Sequence, residues 1–141
     1  MVGERPTIDP TRPPAEFDAL VDWFEAYCYR LVLLEEYPLR GVRETIHHAQ
    51  AAVAAHMRVP IMPTPPRAGR GLEELRRVLV SDHAWFLGSA DQLGWFLSIV
   101  EQEDHGGHRQ ALGQYGRILA EAIRRHRAEE RRYLAEAARK Q

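Results

Sequence analysis

The 141-residue sequence predicts an all-α protein, a four-helix bundle, on three grounds. Apolar residues recur at three- and four-residue steps through four stretches, proline and glycine cluster between those stretches, and nothing alternates with period two. Helices of roughly 17–32 residues, about 25–48 Å long at 1.5 Å per residue, bury such stripes most simply by packing as a bundle. The length suits one domain, here residues 15–141, with a sizeable core and no need of a disulfide.

Residues 1–14 carry Pro6, Pro10, Pro13 and Pro14 and little to bury, which reads as a flexible, proline-rich N-terminal arm. The first helix is expected over about 15–37, with Phe17, Leu20, Phe24, Cys28, Leu31 and Leu34 on one stripe and Pro38 and Gly41 ending it. The second runs over about 42–58 on Val42, Ile46, Ala49 and Val53, with His56 close beside that stripe. Residues 59–71 hold Pro60, Pro63, Pro65, Pro66, Gly69 and Gly71. This connection exceeds the 2–8 residues usual between bundle helices, so it either turns back or crosses the bundle.

The third helix covers about 72–103 through Leu75, Leu79, His83, Phe86, Leu93 and Leu97. Gly88 and Gly94 inside it read as points of close helix approach or as room for a bound group. Asp104 to Gly107 is the next break. The fourth helix covers about 110–139 through Leu112, Tyr115, Leu119, Ile123, His126, Glu130 and Tyr133.

Composition narrows the function. A net charge of −1 gives no general attraction to nucleic acid or to an anionic membrane surface. No segment approaches the ~20 apolar residues needed to cross a bilayer, and residues 1–14 lack an apolar signal core, so a cytoplasmic location is expected. The arginines from Arg124 to Arg132 alternate with glutamates and read as a solvated helix face. Cys28 lies on an apolar stripe and reads as a small core residue. His105-Gly-Gly-His108 reads as an exposed turn in preference to a metal clip.

Two polar features interrupt apolar stripes. His83 continues the Leu75, Leu79 steps, and His126 and Glu130 continue Leu119 and Ile123. The four-residue spacing puts His126 and Glu130 one turn apart on one face. His83 lies about 22 residues before the break near 105–106, which in an antiparallel hairpin sets it between His126 and Glu130. A buried carboxylate requires a partner or a cation. Two imidazoles and one carboxylate suit iron or another first-row transition metal and leave positions open for a small molecule. The competing reading is three core groups hydrogen-bonded internally, with Glu130 paired to Arg127 or Arg131.

The stretch Leu79-Val-Ser-Asp82-His83, followed by a long helix and by Ile123-Arg-Arg-His126-Arg-Ala-Glu129-Glu130, resembles the first half of a hemerythrin-type (HHE cation-binding) domain over about residues 72–136. That resemblance implies a four-helix bundle with two non-haem irons that binds or senses a diatomic or handles iron. The family draws further ligands from two following helices. Here they would come from residues 15–58, as in a permutation, or from a second chain. The first helix has no histidine and offers Tyr27, Glu35 and Glu36. The second offers Glu44, His47, His48 and His56. Level with His83 lie residues near 46 if the 59–71 connection turns back, which favours Glu44, His47 or His48, whereas position beside the apolar stripe favours His56. Glu44-x-x-His47 also mimics the Glu-x-x-His of di-iron bundles.

The expected function is therefore non-haem binding of iron, as one or two ions, on His83, His126 and Glu130 with a contribution from the second helix, and with a small diatomic as ligand. The alternative is a metal-free interaction or homodimerisation module, motivated by Trp23-Phe24, Trp85-Phe86 and Trp95-Phe96, since one helix cannot turn both neighbours inward. A haem or cavity site using His83 or His56 ranks third.

Overall fold

The computed structural model describes residues 12–141. Their helices are α1 (Phe17–Val32), α2 (Leu39–Met57), α3 (Arg70–Gln102) and α4 (Gly106–Arg139), and no strand occurs among them. Most of the predicted arm, residues 1–11, lies outside the described residues, and Arg12 to Pro14 carry no helix.

Each helix packs antiparallel on its neighbour in sequence, and α1 closes the ring against α4. Ring contacts fix the register of the two hairpins: Phe17 on His56 and Trp23 on His48 between α1 and α2, and Phe96 on Tyr115 and His83 on His126 between α3 and α4. Arg43 reaching Glu101 and Gln50 donating to the Ala90 carbonyl set α2 against α3. Arg124 on Asp22 and Gln110 donating to the Val32 carbonyl set α4 against α1. The main core runs down the axis on Phe24, Leu31, Ile46, Leu93, Leu97, Leu119 and Ile123, with the Cys28 thiol among them. Burial, reinforced by nearby Glu25, pushes that thiol well above its ordinary pKa, as befits an inert core group.

Three boundaries correct the sequence expectations. α1 ends at Val32, not near 37, because Leu34 takes a left-handed conformation (φ 60°) and lets Glu35 N–H donate to the Arg30 carbonyl and Leu34 N–H to Leu31. This crossed pair closes a helix end in the manner usually reserved for glycine. Pro38 and Gly41 stop nothing. Pro38 is the residue from which α2 starts, and Gly41 lies in its first turn, where backbone N–H groups have no helical acceptor to lose. α4 begins at Gly106 because the His105 side chain accepts from His108 N–H and caps it, so half the predicted turn is helix.

The glycines that permit close approach are not Gly88 and Gly94. A Cβ on Gly88 would meet open space, and one on Gly94 only the Gln50 amide. Gly113 and Gly116 on α4 are the seats for α1. A Cβ on Gly113 would stand 2.5 Å from the Cys28 carbonyl oxygen, and one on Gly116 would collide with the Cys28 sulfur. Since Gly88 is exposed in mid-helix with nothing to strike, Gly88→Ala is expected to raise stability by about 1 kcal/mol, read from chemical denaturation. A loss would contradict this packing.

The connection after α2 turns back, since α2 and α3 are adjacent and antiparallel. It does not do so as a symmetric loop. α3 and α4 run past the end of α2, and the connection lies along their projecting ends as a strap. Arg76 donates to the carbonyls of Ile61 and Met62 at 3.1 Å each, and the Tyr133 hydroxyl donates to Met62 at 2.6 Å. Beneath the strap Ile61, Leu72, Leu79, Tyr133 and Ala137 form a second small core. The level of His83 on α2 is therefore His56, ten residues beyond the symmetric expectation.

Candidate metal centre

The sequence brings four elements to the point where the two cores meet. α3 supplies His83 and Asp82, α4 supplies His126, Arg127 and Glu130, α2 supplies His56, and the first turn of α1 supplies Phe17 and Asp18. His83, His126 and Glu130 are all buried on the apolar faces that their spacing predicts. His83 Nε2 stands 3.1 Å from His126 Nε2 and 3.3 Å from Glu130 Oε2, and His126 Nε2 stands 3.3 Å from the same oxygen. The three atoms form a nearly equilateral triangle. Donors on adjacent positions of a first-row ion, with bonds of about 2.0–2.2 Å, lie roughly 3.0–3.4 Å apart. The residues fit such an ion.

The surrounding contacts orient this triangle. His126 Nδ1–H donates to Asp82 Oδ2 at 3.1 Å, which in the neutral ring leaves the Nε2 lone pair facing inward, a carboxylate–histidine pairing common behind metal ligands. The other oxygen of Glu130 is occupied elsewhere: Oε1 accepts from Arg127 Nη1 and lies 3.5 Å from His56 Nε2. Only Oε2 is left for the two imidazoles. Arg127 is itself held by Asp18, which also pairs with Arg131. His56 lies flat on Phe17, ring centres 4.0 Å apart at 3°, and Phe86 and His126 meet in a T-shaped contact with ring centres 5.3 Å apart.

Burial works to raise the Glu130 pKa, but hydrogen bonds from His126, His56 and Arg127 outweigh it and hold the carboxyl well below the usual range. Burial likewise works to lower His126, yet its bonds to Glu130 and Asp82 prevail and raise it. His83 is lowered, by burial first and then by the neighbouring imidazoles. The linkage signs follow for the metal-free protein. The Glu130 contribution is present above the unfolded value near 4.5 and is lost as pH falls below it. The His83 contribution, from a ring kept neutral, is lost as pH falls below 6.5, whereas that of His126 is lost as pH rises above 6.5. Urea unfolding is accordingly expected to show stability falling as pH drops below 6.5, through His83, and falling again below 4.5, through Glu130. A flat profile there would contradict the assigned contacts.

Of the sequence candidates, the structure gathers His83, His126, Glu130 and His56. It does not bring in Glu44 or His48. Glu44 is exposed and bonded to Arg40 at 2.9 Å, and exposed His48 stands edge-on to Trp23. The level estimate that favoured them assumed a symmetric connection. His47 is exposed as well. On the first helix, Tyr27 packs against Tyr37 at the far end, and Glu35 and Glu36 lie after α1 has ended. What sequence reasoning missed is the role of Phe17 and Asp18, whose signal was their level opposite residues 127–131 across an antiparallel α1–α4 pair.

A cleft of about 660 Å³ lies at the opposite end, between residues 34–38 and 104–109. Its arginine is already engaged: Arg109 bonds both oxygens of Asp104 at 2.6 and 2.8 Å and the Tyr37 carbonyl at 2.6 Å. Glu103, His105 and His108 also gather there, but His105 caps α4 and His108 Nδ1–H donates to the Glu103 carbonyl. Most of the basic run on α4 is matched too, Arg124 on Asp22 and Glu25, Arg127 and Arg131 on Asp18, and Arg132 on Glu129. Among the described residues no helix is long and apolar enough to cross a membrane. Comparison of the chain with protein-family models, with curated proteins and with solved structures finds no match.

Proposed function

We propose that the chain is a non-haem metal-binding bundle in which His83, His126 and Glu130 hold one divalent first-row ion, iron by preference, and present it to a small diatomic. The observation that carries this reading is the triangle of three electron-pair donors, 3.1–3.3 Å on a side, in a buried pocket. With the His126 Nδ1 proton given to Asp82, a cation satisfies all three corners at once, whereas the metal-free cluster requires protons to do so. Two imidazoles and one carboxylate on one side of an ion are the donor set of non-haem iron(II) sites, which supply redox chemistry and open positions for small ligands. The likeness of Asp82-His83 and His126-x-x-x-Glu130 to hemerythrin-type ligand patterns supports the same reading.

The protein's own groups divide the work. Asp82 fixes the His126 tautomer, Arg127 turns Glu130 so that a single oxygen faces inward, and Phe86 keeps bulk water from the His126 ring. Asp82→Ala is expected to weaken metal binding about 10–100-fold, since it removes the group that orients a ligand. Competitive titration against a chromophoric chelator measures this, and an unchanged affinity would remove Asp82 from the account. The reading as a whole is tested by elemental analysis after expression with iron, manganese and zinc supplied. Close to one ion per chain is expected, falling below a tenth in His126→Ala. Substoichiometric metal in the native protein, or content indifferent to His126→Ala, would reject it.

A second reading is a homodimerisation module, favoured by Trp85 and Trp95, which are 55% and 54% exposed on α3. Sedimentation over a wide concentration range, read beside the elemental analysis, separates the two, because a metal-free self-associating module is expected to dimerise while holding no stoichiometric metal and to lose its dimer in Trp85→Lys.

A further inference from the structure

A cleft of about 300 Å³ opens directly onto the cluster, with His56, His83 and Glu130 at its floor and Val59, Ile61, Met62 and Leu134 as its walls. A diatomic occupies roughly the space of a water molecule, about 30 Å³ of liquid, so it would leave most of this volume unfilled. The volume belongs instead to the small end of organic-ligand pockets, and the lining has their character, apolar walls with a few convergent polar groups. Three of the wall residues come from the strap, whose place is fixed by Arg76 and Tyr133 through the carbonyls of Ile61 and Met62. A simple bundle has no need of that ordered segment.

We infer that this cleft binds a small, uncharged organic molecule with an apolar body and one hydrogen-bonding end, the body against Ile61, Met62 and Leu134 and the polar end at His56. The charge follows from the floor. Glu130 is held by Arg127 on one oxygen and by the two imidazoles on the other, and no other carboxylate, lysine or arginine lines the cleft, so a charged ligand finds no unmatched partner there. His56 is the polar group best placed to meet the ligand. It is only partly buried, and its ring is fixed by Phe17. The inference extends the metal reading by giving the centre an organic neighbour, but the cleft's own binding does not require the ion.

The test uses a homologous series from 1-butanol to 1-hexanol on the full chain, with and without added iron(II), followed by the NMR signal of the Met62 methyl group as assigned with Met62→Leu. Affinity is expected to rise about fourfold with each added methylene. It is expected to fall at least tenfold for 1-hexanol in Leu134→Asp and in Val59→Asp, two positions exposed enough to accept the change, with metal content unaltered. In His56→Phe, which preserves the stack on Phe17, 1-hexanol is expected to bind about fivefold more weakly, as loss of one hydrogen bond predicts. No dependence on chain length, or native affinity retained in both aspartate variants, would overturn the inference. Because the series is also run without iron, a chain that binds alkanols but holds no metal would reject the metal reading and leave this inference standing.

Discussion

Replacing Glu130 with glutamine is expected to weaken metal binding more than about 100-fold, beyond what loss of an orienting partner costs, because it removes a ligand charge outright. The same change reports on the metal-free protein. Glu130 sits under Arg127, His56, His83 and His126, and its ionised form is held far below the ordinary carboxylate range by hydrogen bonds that overcome its burial. Taking one partner from a buried ion pair costs about 3–5 kcal/mol. Arg127 keeps Asp18 as a second partner, so the expected loss is smaller, about 2 kcal/mol. The metal-free variant should also lose the acid-side fall in stability below pH 4.5 that Glu130 contributes. Denaturant unfolding with and without metal separates the two effects. A variant that still takes up one ion with native affinity would show that the carboxylate is structural only.

Gly113→Val is expected to destabilise the protein by about 3 kcal/mol or more, the largest single effect on folding that the packing predicts. Its Cβ would lie 2.5 Å from the backbone oxygen of Cys28 and 3.0 Å from Leu31 Cβ. A backbone oxygen cannot swing aside as a side chain can, so α1 as a whole must move off α4. The consequence reaches the candidate centre, because α1 carries the Phe17 that steadies His56 and the Asp18 that holds Arg127. Metal affinity is therefore expected to weaken along with stability, although residue 113 is nearly four turns from His126. A variant as stable as the native chain would mean that the helices are further apart than described.

These two results mark what the sequence made legible. Helix existence, number and order were readable from apolar periodicity, and so was the meeting of His83 with His126 and Glu130, because the α3–α4 hairpin is tight and nearly symmetric about its turn. The level of His56 was not readable. It depends on a strap that runs beside α3 and α4, and a proline-rich segment shows where a helix stops but not how far the next one overshoots. The early end of α1 was hidden for a related reason: Leu34 stands where glycine usually marks a left-handed helix end. Gly113 and Gly116 went unremarked because mid-helix glycines look alike in sequence, and only the neighbouring helix separates a seat from a gap. Asp18 and Phe17 look like any first-turn residues until α1 is laid against α4.

Whether His83, His126 and Glu130 share one ion is tested by a cobalt(II) titration of the purified chain followed by its visible absorption, with His83→Ala, His126→Ala and Glu130→Gln beside it. A band that saturates at one equivalent is expected in the native protein, lost or strongly shifted in each variant. Absence of a saturable band, or an identical spectrum in all four proteins, would contradict the claim that these three side chains share one ion.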